Sequence, residues 1–219
     1  MNKIICLWLF YCIIILEKII RRINMSNFNE RAKDWDTESK IERGKAIARA
    51  IKNNIKLNKN MNILDFGCGT GLLIFPLIEE VGAVHGIDLS PNMLDILKEK
   101  GRDYKNLTTE PKGIFEITST FDLIMSSMVM HHIEDITNLA KKLYDSLNPN
   151  GMIAIADLME EDGSFHDSMD GIYSLGFSNE FLEKIFKGAG FKEVKVIENI
   201  FIIEKNNKKY PLFLVIGTK

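Results

Sequence analysis

Cysteine is scarce in this chain: Cys6, Cys12 and Cys68 are the only three among 219 residues. Three cannot build a disulfide framework, and no pair has zinc-site spacing, so a reducing, cytoplasmic setting is expected. Proline is nearly as sparse, with five residues, and neither a repeat nor a low-complexity stretch marks a linker, which predicts one domain. An excess of positive charge is also missing. Residues 1–24 hold four of the 28 basic side chains and one of the 30 acids, so 25–219 carry a net charge of −5. A body of that sign has no electrostatic footprint for nucleic acid, and no such partner is expected. The 46% of hydrophobic and 26% of charged residues exclude disordered and collagen-like chains.

A long apolar run is lacking too. The longest covers 4–16, 13 residues followed by Glu17, Lys18, Arg21 and Arg22, whereas a membrane span needs roughly 20. No small-residue cleavage site follows it, which argues against a secretory signal. Two readings stand. The segment is a marginal anchor whose basic flank holds the body in the cytoplasm, or it precedes the true start and Met25 is the initiator. The second is preferred, because Met25-Ser26 opens an ordinary polar stretch. Membrane contact is expected only if 1–24 is translated, and 25–219 forms the single domain.

What is present is an alternation of short apolar runs and helical patterns. Residues 28–57 read as one helix with Ile41, Ala48, Ile51 and Ile55 near one face. Trp35 is expected to pack it onto the core. Strands are predicted over 61–66, 83–88, 105–109, 121–127, 152–157, 194–203 and 212–216. A helix kinked at Pro76 is predicted over 70–81. Ser90-Pro91 opens another, with serine as N-cap and proline at the first helical position. Ile136, Leu139, Ala140, Leu143 and Leu147 stripe a third, ended by a turn at 148–151. Ser178 caps a fourth, which stops at Gly188-Ala189-Gly190. The pattern implies a doubly wound α/β domain.

The richest stretch is "NILDFGCGTGLL", residues 62–73. A buried strand runs into Asp65, and Gly67, Gly69 and Gly71 follow at alternate positions. Glycine there lets the chain turn tightly and lets a ligand approach main chain without a Cβ in the way. The next strand ends in Asp88, where a carboxylate can accept from two ribose hydroxyls. The dinucleotide fingerprint G-x-G-x-x-G fails, since the sixth position from Gly67 is Leu72, and no P-loop lysine follows Gly71.

Loop, Asp88, "FDLIMSSMVMHHIED" and "LYDSLNPNGMIAIAD" together resemble the class I S-adenosylmethionine-dependent methyltransferases, especially the small-molecule group that includes the ubiquinone and menaquinone type. The resemblance implies a Rossmann-like fold, a mostly parallel seven-stranded sheet with a C-terminal antiparallel hairpin, and S-adenosyl-L-methionine as cofactor. It further implies that Gly67, Cys68, Gly69 and Gly71 line the methionine part, with Asp65 near the amino group. Asp88 would hold the ribose, Leu89 would flank the adenine, and Ser126 or Ser127 would lie under the sulfonium. One departure stands out: the acid that many relatives carry after the third strand is missing, leaving Glu110 or Glu116 as substitutes.

Methyl transfer needs a base only if the acceptor must first lose a proton. His132, Asp157 and His166 are the candidates, with His131, Glu134, Asp135 and Asp162 nearby; each also has a plain structural reading. His85, inside a strand, reads as structural. The spacing of His131, His132 and Asp135 fits no standard metal set, so no metal is expected. The turn Ser126-Ser127-Met128-Val129 is not the (D/N/S)-P-P-(Y/F) of amino-methylating relatives. Cys68 sits in the cofactor loop and is not free to be a nucleophile. A small-molecule acceptor is therefore expected, under a partly apolar lid of Phe165, Met169, Ile172, Tyr173 and Phe177. The competing readings are a nicotinamide-dependent oxidoreductase and a non-catalytic partner subunit of the same fold.

Overall fold

The structure is a computed structural model that describes residues 29–219; the expectations for 1–24 and for Met25 lie outside the described residues. The strands are β1 (Asn62–Phe66), β2 (Ala83–Ile87), β3 (Leu107–Glu110), β4 (Phe121–Ser127), β5 (Leu147–Leu158), β6 (Lys192–Lys205) and β7 (Lys208–Thr218). The helices are α1 (Glu38–Asn54), α2 (Pro91–Lys100), α3 (Ile136–Asp145) and α4 (Asn179–Gly188).

All seven strands form one sheet in the order β3-β2-β1-β4-β5-β7-β6. β1 to β5 pair in parallel, and β7 runs antiparallel to both β5 and β6. The alternation of side chains along each strand separates two cores. Ile63, Leu123, Met125, Ala154 and Leu214 pack with Ile47 and Ile51 of α1 and Leu94 and Leu97 of α2. Leu64, Ile124, Ile153, Ile155 and Phe213 pack with α3 and α4 through Leu139, Leu143, Leu182 and Phe186 on the opposite face. Both faces of the sheet are therefore covered, as the near-continuous apolar runs of the parallel strands require. β2 and β4 flank β1 on opposite sides, so the winding reverses between β1 and β4, the place where open sheets of this kind gather ligands.

The expectations differ from the structure in three places. Residues 28–57 are not one helix: a short 3₁₀ turn, Ala32–Asp34, precedes α1, and Thr37 caps the helix by accepting from the Lys40 N–H at 3.4 Å. The predicted helix over 70–81 is a run of turns closed by the 3₁₀ segment Ile78–Glu80. Pro76 has no N–H for the Leu72 carbonyl, and that carbonyl instead faces α1, 2.6 Å from where a Cβ on Gly44 would stand. Only glycine at 44 allows this approach. The 148–151 segment is no free turn but joins β5, across a register shift opposite β4.

The C-terminal hairpin turns on two residues, Asn206 (φ 52°) and Asn207 (φ 59°), between paired Lys205 and Lys208. Two left-handed residues are what a tight hairpin matched to strand twist needs, and asparagine tolerates them. No helix among the described residues is long and apolar enough to cross a membrane.

Candidate functional site

The three loop glycines adopt φ of +66°, +52° and +86°, but they serve different ends. A Cβ on Gly67 would stand 2.3 Å from a methyl of Val129, and one on Gly71 would stand 2.4 Å from a methyl of Leu97. Those two glycines let the protein pack on itself. A Cβ on Gly69 would meet nothing nearer than Trp35 Nε1 at 3.8 Å, so the loop leaves a hollow at its middle. Cys68 points its side chain into the core and donates its N–H to Ile87 O at 3.0 Å. Burial, then the nearby Asp65 and Asp88, push its thiol well up, so it stays protonated.

Asp88 braces the hollow from the next strand. Its Oδ2 accepts from the Gly69 N–H and its Oδ1 from the Ser90 N–H, both at 2.8 Å. Burial raises its pKa, and these backbone donors oppose the rise. Asp65 lies at the end of β1, 1% exposed, and its Oδ2 has no hydrogen-bond partner. Burial, then repulsion from Asp88, raise its pKa well above the ordinary carboxyl range. A buried carboxyl with an orphaned oxygen destabilises the fold unless a donor arrives. A folded-state pKa above the unfolded one makes that destabilisation absent at acid pH and growing as pH rises toward the folded value. Asp65→Asn is thus expected to stabilise the free protein at pH 7.5 by about 1–2 kcal/mol while weakening ligand binding, read from urea midpoints and from calorimetry.

Leu89 (47% exposed) and Phe115 (44% exposed) stand open beyond β2 and β3. Glu110 is held by Lys112 at 2.8 Å, and Glu116 accepts from the Gly113 N–H at 2.9 Å, so both acids have local partners. Of the two serines ending β4, Ser126 is buried and donates to Phe66 O at 2.7 Å, which leaves half-buried Ser127 nearer the open edge.

The segment before α1 closes one rim. Asn29 Oδ1 accepts from Ser90 Oγ at 2.6 Å. Asp36 accepts from Thr70 Oγ1 and pairs with Lys100 Nζ at 2.7 Å. Trp35 is half-buried over the glycine loop, with Lys40 Nζ 3.5 Å from its ring centre. It was expected as a packing residue; its place beside Gly69 puts it at the hollow.

Beyond β4 and β5 a second group gathers. Asp157, wholly buried, accepts from His131 Nδ1 at 2.6 Å and from the His131 N–H at 3.1 Å. Burial works to raise its pKa, but His131 and the backbone donors outweigh it, so Asp157 is held below the ordinary range and stays ionised. The ring of His131 lies 4.2 Å from that of His132 and 4.9 Å from that of His166. His132 Nδ1 donates to Gly171 O at 2.8 Å. Burial, then His131, lower its pKa, and burial with the two neighbouring histidines takes His166 down to about 4. His166 Nε2 and Glu161 Oε1 are both buried without partners.

Three other candidates fall elsewhere. Asp135 caps α3, Asp162 pairs on the surface with Lys208, and Glu134 is exposed. His85 bonds Thr108 Oγ1 within the sheet. Phe177 is core, 3% exposed, while Met169 and Tyr173 are open to solvent. No group of three or more His, Cys, Asp or Glu among the described residues is arranged to hold a metal ion. The sequence reading did not single out Lys40 and Arg43 of α1, two cations among the mostly polar residues of its first turns.

A sequence profile described as a methyltransferase domain matches residues 39–196. An uncharacterized methyltransferase of Schizosaccharomyces pombe is 32% identical over 166 residues, 66% of this chain and 58% of that protein. Phosphoethanolamine N-methyltransferase 2 of Haemonchus contortus, solved in complex with S-adenosyl-L-methionine, superposes with a TM-score of 0.65 at 20% identity, over 80% of this chain and 52% of that one. A chain of the Haloferax volcanii complex between the Trm112 methyltransferase activator and a methyltransferase gives 0.72 at 17% identity, over 87% and 96%. This chain thus spans just over half the length of the first two.

Proposed function

The chain belongs to the methyltransferase domain family, and from that premise we propose that it is an S-adenosylmethionine-dependent methyltransferase acting on a small-molecule acceptor. The observation that carries the cofactor is the pairing of an open main-chain hollow at Gly69 with the orphaned Asp65 Oδ2 beside it. An amino-acid tail suits both, filling the hollow and giving the buried carboxylate an ammonium donor.

When bound, the cofactor supplies a methyl group already activated on a sulfonium, so the protein's task is orientation and exclusion of water. Asp65 would hold the tail's ammonium. The main chain around Gly69 would shape the cradle. Asp88 keeps lone pairs for two ribose hydroxyls while its bonds to Gly69 and Ser90 fix its position. Leu89 and Phe115 would cover the base, and Ser127 would lie toward the reacting end. If the acceptor carries a proton, His131 is the side chain equipped to take it. Asp157 fixes its Nδ1–H tautomer and leaves Nε2 as the acceptor. His166 and His132, with depressed basicity, shape the pocket. The acidic body supports a small acceptor over a nucleic acid.

S-adenosylhomocysteine is expected to raise the thermal midpoint, and NADH to leave it unmoved; the reverse pattern would favour the oxidoreductase reading. Asp88→Ala should weaken S-adenosylhomocysteine by about 1–3 kcal/mol, since ribose hydroxyls lose a buried acceptor. Unchanged affinity in calorimetry refutes the role given to Asp88. Incubation with a methyl-labelled cofactor and an extract of the source organism then separates turnover from binding alone, because a non-catalytic partner labels nothing.

A further inference from the structure

Among the described residues, four buried side-chain polar atoms have no hydrogen-bond partner: Asp65 Oδ2, Glu161 Oε1, His166 Nε2 and Asn179 Oδ1. Asp65 already has its place beside the hollow, and Asn179 is the first residue of α4, where its amide reaches Glu198. Glu161 and His166 are left, and they share one loop, the stretch between β5 and α4. A polar atom buried without a partner costs free energy, so two on one loop ask for a ligand.

The loop brings the two side chains together. Glu161 spends Oε2 on the Phe165 N–H, 3.1 Å away, and its own N–H on Leu175 O at 2.9 Å. Its Oε1 is thus the open half of a carboxylate fixed to the residue before His166. The Phe165 ring meets the His166 ring edge-on at 4.8 Å, and the His166 ring lies 4.9 Å from that of His131. Carboxylate and imidazole therefore stand beside the His131–Asp157 pair.

The C-terminal hairpin braces this loop. Lys205 Nζ donates to Phe165 O and to Asp167, both at 2.7 Å, and Lys208 Nζ donates to Asp162 at 2.7 Å. The Phe165 and Tyr210 rings meet at 5.1 Å. Both hairpin lysines are spent on these partners and leave Glu161 Oε1 open. A braced frame with open polar atoms is how a binding group is kept ready for its ligand.

We propose that Glu161 Oε1 and His166 Nε2 form the polar anchor of the acceptor, taking a hydroxyl or amine that it carries. A carboxylate oxygen only accepts, so the group it takes must have a hydrogen to donate. His166, with its pKa lowered to about 4, is neutral at pH 7.5 and presents either an N–H or a lone pair at Nε2. A hydroxyl answers the first arrangement, donating to the carboxylate while accepting from the imidazole. An amine answers the second, donating to both. The inference rests on the methyltransferase reading for calling the bound molecule the acceptor, and not for the binding itself.

Calorimetry on the whole chain, free and saturated with S-adenosylhomocysteine, tests this with phenol, benzylamine and anisole, the last having no hydrogen to donate. The proteins are wild type, Glu161→Gln, which keeps an oxygen for the Phe165 N–H and turns Oε1 into a donor, and His166→Phe, which keeps the ring contacts. Phenol or benzylamine bound by wild type at least fivefold more tightly than anisole, with that preference lost in both variants and S-adenosylhomocysteine held within twofold, supports the anchor. The probe preferred then tells hydroxyl from amine. No preference in wild type, or a preference that outlives either substitution, overturns it and leaves the two atoms as ordinary hydration sites. A tenfold loss of S-adenosylhomocysteine in both variants also overturns it, since the pair would then serve the cofactor. If wild type does not bind S-adenosylhomocysteine, the methyltransferase reading falls, and the three probes on the free protein still decide whether the anchor exists. Should one variant fail to fold, the other carries the comparison.

Discussion

Gly67→Ala is expected to cost several kcal/mol of stability, whereas Gly69→Val leaves the chain folded and abolishes binding of S-adenosylhomocysteine. The two glycines share a positive φ, so both variants carry a backbone penalty of about 1–2 kcal/mol. They differ in what the new side chain meets. At 67 it lands 2.3 Å from a Val129 methyl at the end of β4, inside a packed junction that can yield only by moving strand or turn. Overpacking of that kind adds about 1–3 kcal/mol. At 69 the new Cβ would stand 3.8 Å from Trp35 Nε1, in ordinary contact, so the valine enters the hollow without the clash met at 67. Urea midpoints and calorimetry on both variants check this. The opposite order, a stable Gly67→Ala beside an unfolded Gly69→Val, or a Gly69→Val that binds normally, would falsify the placement of the ligand.

The same contrast explains what the sequence made legible. Gly67, Gly69, Gly71 and Asp88 were readable because strand, tight turn and next strand-end are local relations, and spacing alone puts them on one edge. Their division of labour was not, since it depends on Val129 and Leu97, which arrive from distant elements. The turns over 70–81 were misread as helix because the apolar pattern of Leu72, Leu73, Leu77 and Ile78 has helical spacing. Pro76 and the approach of Gly44 outweighed it. Trp35 and Lys40 lie on a segment whose apolar stripe predicts packing and says nothing of which polar residues flank the site. His131, His132, Asp157 and His166 were each visible as residues near one edge. Only the parallel register of β4 and β5, with Ser127 opposite Ala156, puts the imidazole that follows one strand against the carboxylate ending the other.

Asp157→Asn is expected to cost about 1–3 kcal/mol at neutral pH, the range for taking a charged acceptor away from buried donors. The carboxylate is wholly buried and receives the His131 ring, the His131 N–H and the Leu158 N–H. Because its folded pKa is depressed, that stabilisation is present above the unfolded value of about 3.9 and is lost as pH falls through the lower folded one. Asp65 acts with the opposite sign: its raised folded pKa means its destabilisation sets in above about 3.9 and grows as pH rises toward the folded value. Between pH 7.5 and 4.5, then, acid relieves Asp65 before it reaches Asp157. Urea midpoints at both pH values should show the Asp65→Asn gain shrinking at 4.5 while the Asp157→Asn loss persists. A double variant of Asp157→Asn with His131→Asn should cost less than the two single changes summed, since the second removes the partner the first left unpaired. Strict additivity would mean that the imidazole and the carboxylate do not act as a unit, and His131 would then lose the orientation that fits it to take a proton.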